Sequence, residues 1–169
     1  MVRLFEKIRK HRFGLLVLLA LLLITTSLIT RIVLLVESGG LHELSFTVKL
    51  GTFFVGLFFD FVNATYFVIP LAIYLWIFPE RWFHKRWHQY LLASILFLFS
   101  FLIIFNSFSE WFFWEEFTTR FNFIAVDYLV YTTEVIGNIR ESYPIERYLA
   151  GALSLAGLFV YHFRSWTFN

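Results

Sequence analysis

Three sets of residues in this sequence are of types that could do chemistry. The first lies in the run RFNFIAVDYLVYTTEVIGNIRESYP, Arg120 to Pro144, which carries three carboxylates, two arginines and two asparagines. At 100° per residue, Arg120, Tyr131, Glu134, Asn138 and Glu141 all fall within about 40° of Asp127. Ile124, Ala125, Val126, Leu129, Val130, Val135, Ile136 and Ile139 fill the rest of the circumference. A narrow polar seam on an otherwise apolar helix fits more than one role. It is the solvated edge of an amphipathic helix lying at a membrane surface, or a groove where lipid headgroups or a partner domain dock. The crowding of Glu110, Glu115, Glu116 and Asp127 would also attract a cation, but no spacing there fixes a coordination geometry, and no metal ligand is assigned.

The second set is His84 and His88, whose i, i+4 spacing would put two imidazoles on one helix face, as in a zinc site. No Glu accompanies them in an H-E-x-x-H pattern. Flanked by Lys85 and Arg86, they read instead as part of a basic belt meeting anionic headgroups. The third set is polar residues inside apolar runs: Arg31, Asp60 and Asn63. A lone cation deep in lipid costs about 2.5 to 3.5 kcal/mol on insertion scales. Arg31 therefore snorkels to the nearby outer end of its run or meets a partner. Snorkelling is the simpler expectation, and Asp60 is the partner that sign and depth suggest. No Gly-rich phosphate loop, Ser-His-Asp set or metal-activated Thr is visible.

The elements that must position these groups are membrane helices. Of 169 residues, 59% are hydrophobic and 22% aromatic, with 24 phenylalanines, which is far more apolar than a soluble domain. The chain lacks cysteine, which excludes disulfides, thiolate nucleophiles and cysteine-built metal centres. The net charge of +2 is not gathered into a block, so nucleic acid is excluded as a partner. The expected fold is an all-α integral membrane bundle, a single transmembrane domain over 1–169. It has about four spans, near 14–36, 64–78, 90–108 and 148–163, plus an extracytoplasmic interfacial amphipathic helix over about 117–142. Residues 50–61 form a second interfacial segment, because Asp60, Asn63 and Pro70 disfavour a single 29-residue crossing. Ala150, Ser154 and Gly157 offer the fourth span a small-residue face for close packing.

Lys and Arg alternate between the connections. There are five before the first span, one between Glu37 and Lys49, three in PERWFHKRWHQ, two in the long stretch before Arg147, and Arg164 after the last span. By the positive-inside rule both termini are cytoplasmic and the polar seam is extracytoplasmic.

The stretch FFWEEFTTRFNFIAVDYLVYTTEVIGNIRESYPI resembles the N-terminal membrane domain of bacterial lipoteichoic acid synthase-like proteins, transferases of the sulfatase or alkaline phosphatase superfamily. The resembling positions are Glu116, Arg120, Phe121, Asn122, Phe123, Asp127, Tyr128, Glu134, Asn138 and the run Glu141 to Pro144. A weaker likeness runs through Gly56, Asp60, Pro70 and Pro79. The resemblance implies a bacterial cytoplasmic (inner) membrane location in the cell envelope. It also implies a phospholipid surface as partner, and an extracytoplasmic catalytic domain that uses a Thr nucleophile with manganese or zinc to move a phosphoglycerol or phosphoethanolamine group. No cofactor is expected in this chain itself, because none of those catalytic residues has a counterpart here. The family reaches its catalytic domain through a fifth span, whereas four spans leave the C-terminus inside. The expectation is a truncated gene product, a fragment or one part of a split gene, acting as membrane anchor. A stand-alone, non-enzymatic membrane interaction protein is the alternative.

Overall fold

The computed structural model describes residues 2–123, 126, 137, 139–141 and 143–167. Among them there is helix and no strand. A short α1, Val2–Lys10, turns through His11 and Arg12 into α2, Gly14–Glu37. A tight connection follows, with Gly39 at φ +71° and the single turn α3, Gly40–Glu43. It leads to α4, Phe46–Ile77, whose N-terminus is capped by the Ser45 hydroxyl accepting from the Val48 amide at 3.4 Å. The turn α5, Glu80–Phe83, joins α4 to α6, Arg86–Phe117. The last long helix is α7, Ile145–His162, followed by a 3-10 turn, Arg164–Trp166.

Among the described residues, α2, α4 and α6 are long and apolar enough to cross a membrane, and α7 is not among them. The expected span at 148–163 is thus a helix, shorter and more polar than the other three. The stretch read as an interfacial 50–61 followed by a span is one unbroken 32-residue helix, about 48 Å long at 1.5 Å per residue. Pro70 does not break it. A helical Pro deprives one carbonyl, that of Tyr66, of its amide donor, and the turns on either side keep their own bonds. Helix α6 likewise exceeds the expected 90–108 by continuing through the aromatic run EWFFWEEF. At about 48 Å, both helices outrun a hydrocarbon layer of about 30 Å, so their ends extend beyond its thickness.

Helix α2 sits centrally, packed against α4 on one side and α6 on the other, and α7 lies against α6. The buried positions show why. On α4 they are Asp60, Ala64, Leu71 and Leu75, one face of a 3.6-residue helix, while Phe54, Phe58, Tyr66 and Trp76 cover an exposed apolar face. On α7 the buried small residues are Ala152 and Ala156, one turn apart. The expected face of Ala150, Ser154 and Gly157 is wrong by about half a helical rotation, since Ala150 and Ser154 are exposed. Alanines with no exposed surface let the neighbouring helix approach closely, the main source of helix association where lipid is as apolar as the side chains.

The core runs along Leu15, Leu18 and Leu19 of α2, Leu71 and Leu75 of α4, and Leu92, Leu96 and Ile103 of α6. Trp166, from the turn after α7, closes it at one end. There α1 and the 3-10 turn touch, so the N- and C-terminal elements meet at the same end of the bundle.

Candidate functional site

Where α2 and α4 cross, each contributes two residues one turn apart. Ser27 and Arg31 lie on α2, and Gly56 and Asp60 on α4. Arg31 Nη2 donates to Asp60 Oδ2 at 2.8 Å, and the Ser27 hydroxyl donates to Asp60 Oδ1 at 2.5 Å. Arg31 is 5% exposed and Asp60 3%. The snorkelling expectation for Arg31 is therefore overturned, and its alternative, pairing with Asp60, is what the structure shows. The guanidinium crosses directly over Gly56, where any Cβ would overlap it. Glycine is thus required by close approach, with no unusual backbone angle. Both Asp60 oxygens are used, whereas Arg31 Nη1 is buried without a partner among the described residues. A charge pair this dry holds two helices in one register, because sliding either by a turn would leave a charge unpaired. Asn63, three residues further along α4, is exposed and takes no part in this network.

Beyond this pair, at the end of the bundle opposite the termini, lies a polar and aromatic rim. The Trp111 indole N–H donates to the Glu37 carboxylate at 3.0 Å to each oxygen, tying α6 to the end of α2. Helix α6 stops at Thr118, a non-glycine residue at φ +51° whose amide bonds to the Trp114 carbonyl at 2.7 Å, a left-handed C-cap. The reversal brings Arg120 back onto the buried carboxylate of Glu110. Tyr143 packs tilted against Phe112, with ring centroids 4.5 Å apart, beside Glu115. Burial first, and then the Glu115 charge and its hydrogen bond, push the Tyr143 phenol above its ordinary range.

The expected seam changes at its first member. Arg120 belongs to a non-helical stretch that follows the α6 cap, and its guanidinium is engaged by Glu110, so it cannot share a helical stripe with Asp127. Glu141 is helical and exposed. Asp127, Tyr131, Glu134 and Asn138 lie outside the described residues, as does most of the expected amphipathic helix. Among the described residues no three metal-ligating side chains converge.

The histidines part company as well. Lys85 caps α6, so His84 precedes the helix that contains His88, and the two do not share a face. His84 is exposed near Glu80. His88 is fully buried, stacked on Phe78 with centroids 4.1 Å apart and bonded through Nδ1 to the Phe83 carbonyl at 2.8 Å. It packs among aromatics and presents no exposed surface. Beside it, Arg12 reaches the last turn of α4, donating to the carbonyls of Leu75 and Phe78 and pairing with Glu80 at 2.7 Å. A cation at those orphan carbonyls fixes the C-terminal end of α4.

Sequence reasoning missed Ser27 as a ligand of Asp60, the role of Gly56 as the space the guanidinium occupies, and the Glu110–Arg120 pair. The available signal for the first two was the i, i+4 spacing of Ser27 with Arg31 and of Gly56 with Asp60. No protein-family model matches the chain, and no curated protein or solved structure matches it either.

Proposed function

We propose that the chain is the membrane-anchoring platform of a cell-envelope transferase of the lipoteichoic acid synthase-like kind. It crosses the bacterial cytoplasmic membrane four times with both termini inside, and holds its outer rim toward a phosphoglycerol- or phosphoethanolamine-transferring domain that lies outside these 169 residues. The carrying observation is the polarity of the bundle. One end gathers α1, the 3-10 turn and most of the basic residues, while Glu37, Glu110, Trp111 and Arg120 assemble at the other. Contact between α1 and the 3-10 turn supports an even number of crossings, with α7 as the fourth. The charge alternation supports the orientation. The resemblance from Phe112 to Ile145 supplies the transferase reading.

On this reading the outer rim docks the donor lipid headgroup or the catalytic domain, and the polar seam of Asp127, Tyr131, Glu134, Asn138 and Glu141 takes part in that docking. Manganese or zinc belongs to that domain and not to the platform. The test is co-purification. The chain is expressed with a Thr-nucleophile, metal-dependent domain encoded beside it, and recovery is compared between wild type and the Asp127→Asn, Glu134→Gln double variant. Reduced recovery at equal expression is expected. Equal recovery would leave the seam as solvated surface and favour the stand-alone interaction protein. Headgroup transfer by the purified chain alone in manganese or zinc would contradict the platform reading outright.

A further inference from the structure

At the end of the bundle where the termini meet, α1 and the turn into α2 form a basic wall of Arg9, Lys10, His11 and Arg12 around a small pocket. Its floor is apolar, made by Leu15 of α2, Leu92 of α6 and Trp166 of the 3-10 turn. His84 also lines it, and no carboxylate is among the lining residues. Glu80, the carboxylate that reaches this region, is held by Arg12. Arg9 Nε is buried and has no hydrogen-bond partner among the described residues.

We propose that the basic mouth of this pocket binds the phosphate of an anionic glycerophospholipid of the leaflet it faces. A phosphodiester brings only acceptors, which suits a wall of basic residues. The pocket lies at the starts of α2 and α6, where apolar helix gives way to basic residues, the depth at which a lipid phosphate sits. Its place beside the apolar helices decides the source of the phosphate, since the acyl tails of a lipid hold its phosphate at this depth and a free phosphate ion has no such anchor. The inference is independent of the transferase reading, since it requires only that this end face the headgroup layer.

The full chain, purified in a neutral detergent, is offered equimolar phosphatidylglycerol and phosphatidylcholine, and bound lipid is counted by native mass spectrometry. One phosphatidylglycerol per chain should be retained in preference to phosphatidylcholine. Taking ~1 kcal/mol per basic residue at a lipid surface, Arg9→Gln should lower retention about fivefold and Arg9→Gln with Lys10→Gln about 25-fold. Lys7→Gln, which removes an equal charge from α1 at an exposed position outside the pocket, should leave retention unchanged. A second measurement uses the wild-type chain and so survives misfolding of a variant. Phosphatidylglycerol with a photoreactive group early in its acyl chain should label the peptides that contain Leu15, Leu92 or Trp166. Equal retention of both lipids, equal loss in Lys7→Gln, displacement by inorganic phosphate, or labelling spread along the outer face of α4 would each overturn the proposal.

Discussion

Asp60→Ala removes one member of the charge pair that the α2–α4 contact buries. The substitution leaves Arg31, 5% exposed, without its counter-ion and the Ser27 hydroxyl without its acceptor. Removing one partner of a buried pair costs about 3 to 5 kcal/mol. The lower end applies here. Arg31 lies six residues before the end of α2, about 9 Å along the axis, so the freed guanidinium has a short path toward the headgroups. Leaving the contact nonetheless opens a cavity against Gly56, so the expected loss is about 3 kcal/mol. Replacing both residues by leucine removes the stranded charge, and that double variant should fall within about 1 kcal/mol of wild type. The assay is equilibrium unfolding in mixed micelles with increasing dodecyl sulfate, followed by tryptophan fluorescence, with Arg31→Leu and Asp60→Leu added singly to close a double-mutant cycle. A loss under about 1 kcal/mol for Asp60→Ala would match an exposed ion pair and refute the buried network. So would a double variant as unstable as the single.

Other parts of the structure give further expectations. Gly56→Ala should destabilise by about 1 to 3 kcal/mol in the wild-type chain but much less when Arg31 is already leucine, because the added methyl clashes with the guanidinium; the same unfolding assay reads both. Thr118→Gly should stabilise by about 1 kcal/mol, since a β-branched residue is held at φ +51° where glycine is unstrained, and thermal unfolding checks it. The Tyr143 phenol should ionise above the ordinary tyrosine range, and Glu115→Gln should bring it down, measured at 295 nm against a Tyr143→Phe reference. By linkage, a pKa raised on folding contributes stability that is complete below the unfolded-state value and is lost as pH rises through the folded-state value.

Hydropathy made the three long apolar helices legible, because a continuous apolar run of that length has few other solutions. It did not set their ends. Asp60 and Pro70 argue against one long crossing, yet Asp60 is paired with Arg31 and hydrogen-bonded by Ser27, and a single proline leaves a long helix standing. Charge alone could not separate a snorkelling Arg31 from a paired one. The deciding fact is steric, the space above Gly56, and it exists only once two helices cross. His88 illustrates the same limit. Lys85 and Arg86 precede it closely in sequence, but its spatial neighbours are Phe78, Phe83 and Tyr74, brought in by α4 and α5. The polar seam was drawn as a helix from Arg120 onward. The left-handed cap at Thr118, which no residue type there announces, turns Arg120 back toward Glu110.

The proposed platform role depends most directly on which end of the bundle faces which side of the membrane. The chain has no cysteine, so single cysteines introduced at exposed positions 86, 123 and 164 report accessibility without background. With an impermeant maleimide on intact cells, position 123 should label while 86 and 164 label only after permeabilisation. Labelling of 86 or 164 from outside, or protection of 123, would contradict the four-crossing arrangement and the outward rim.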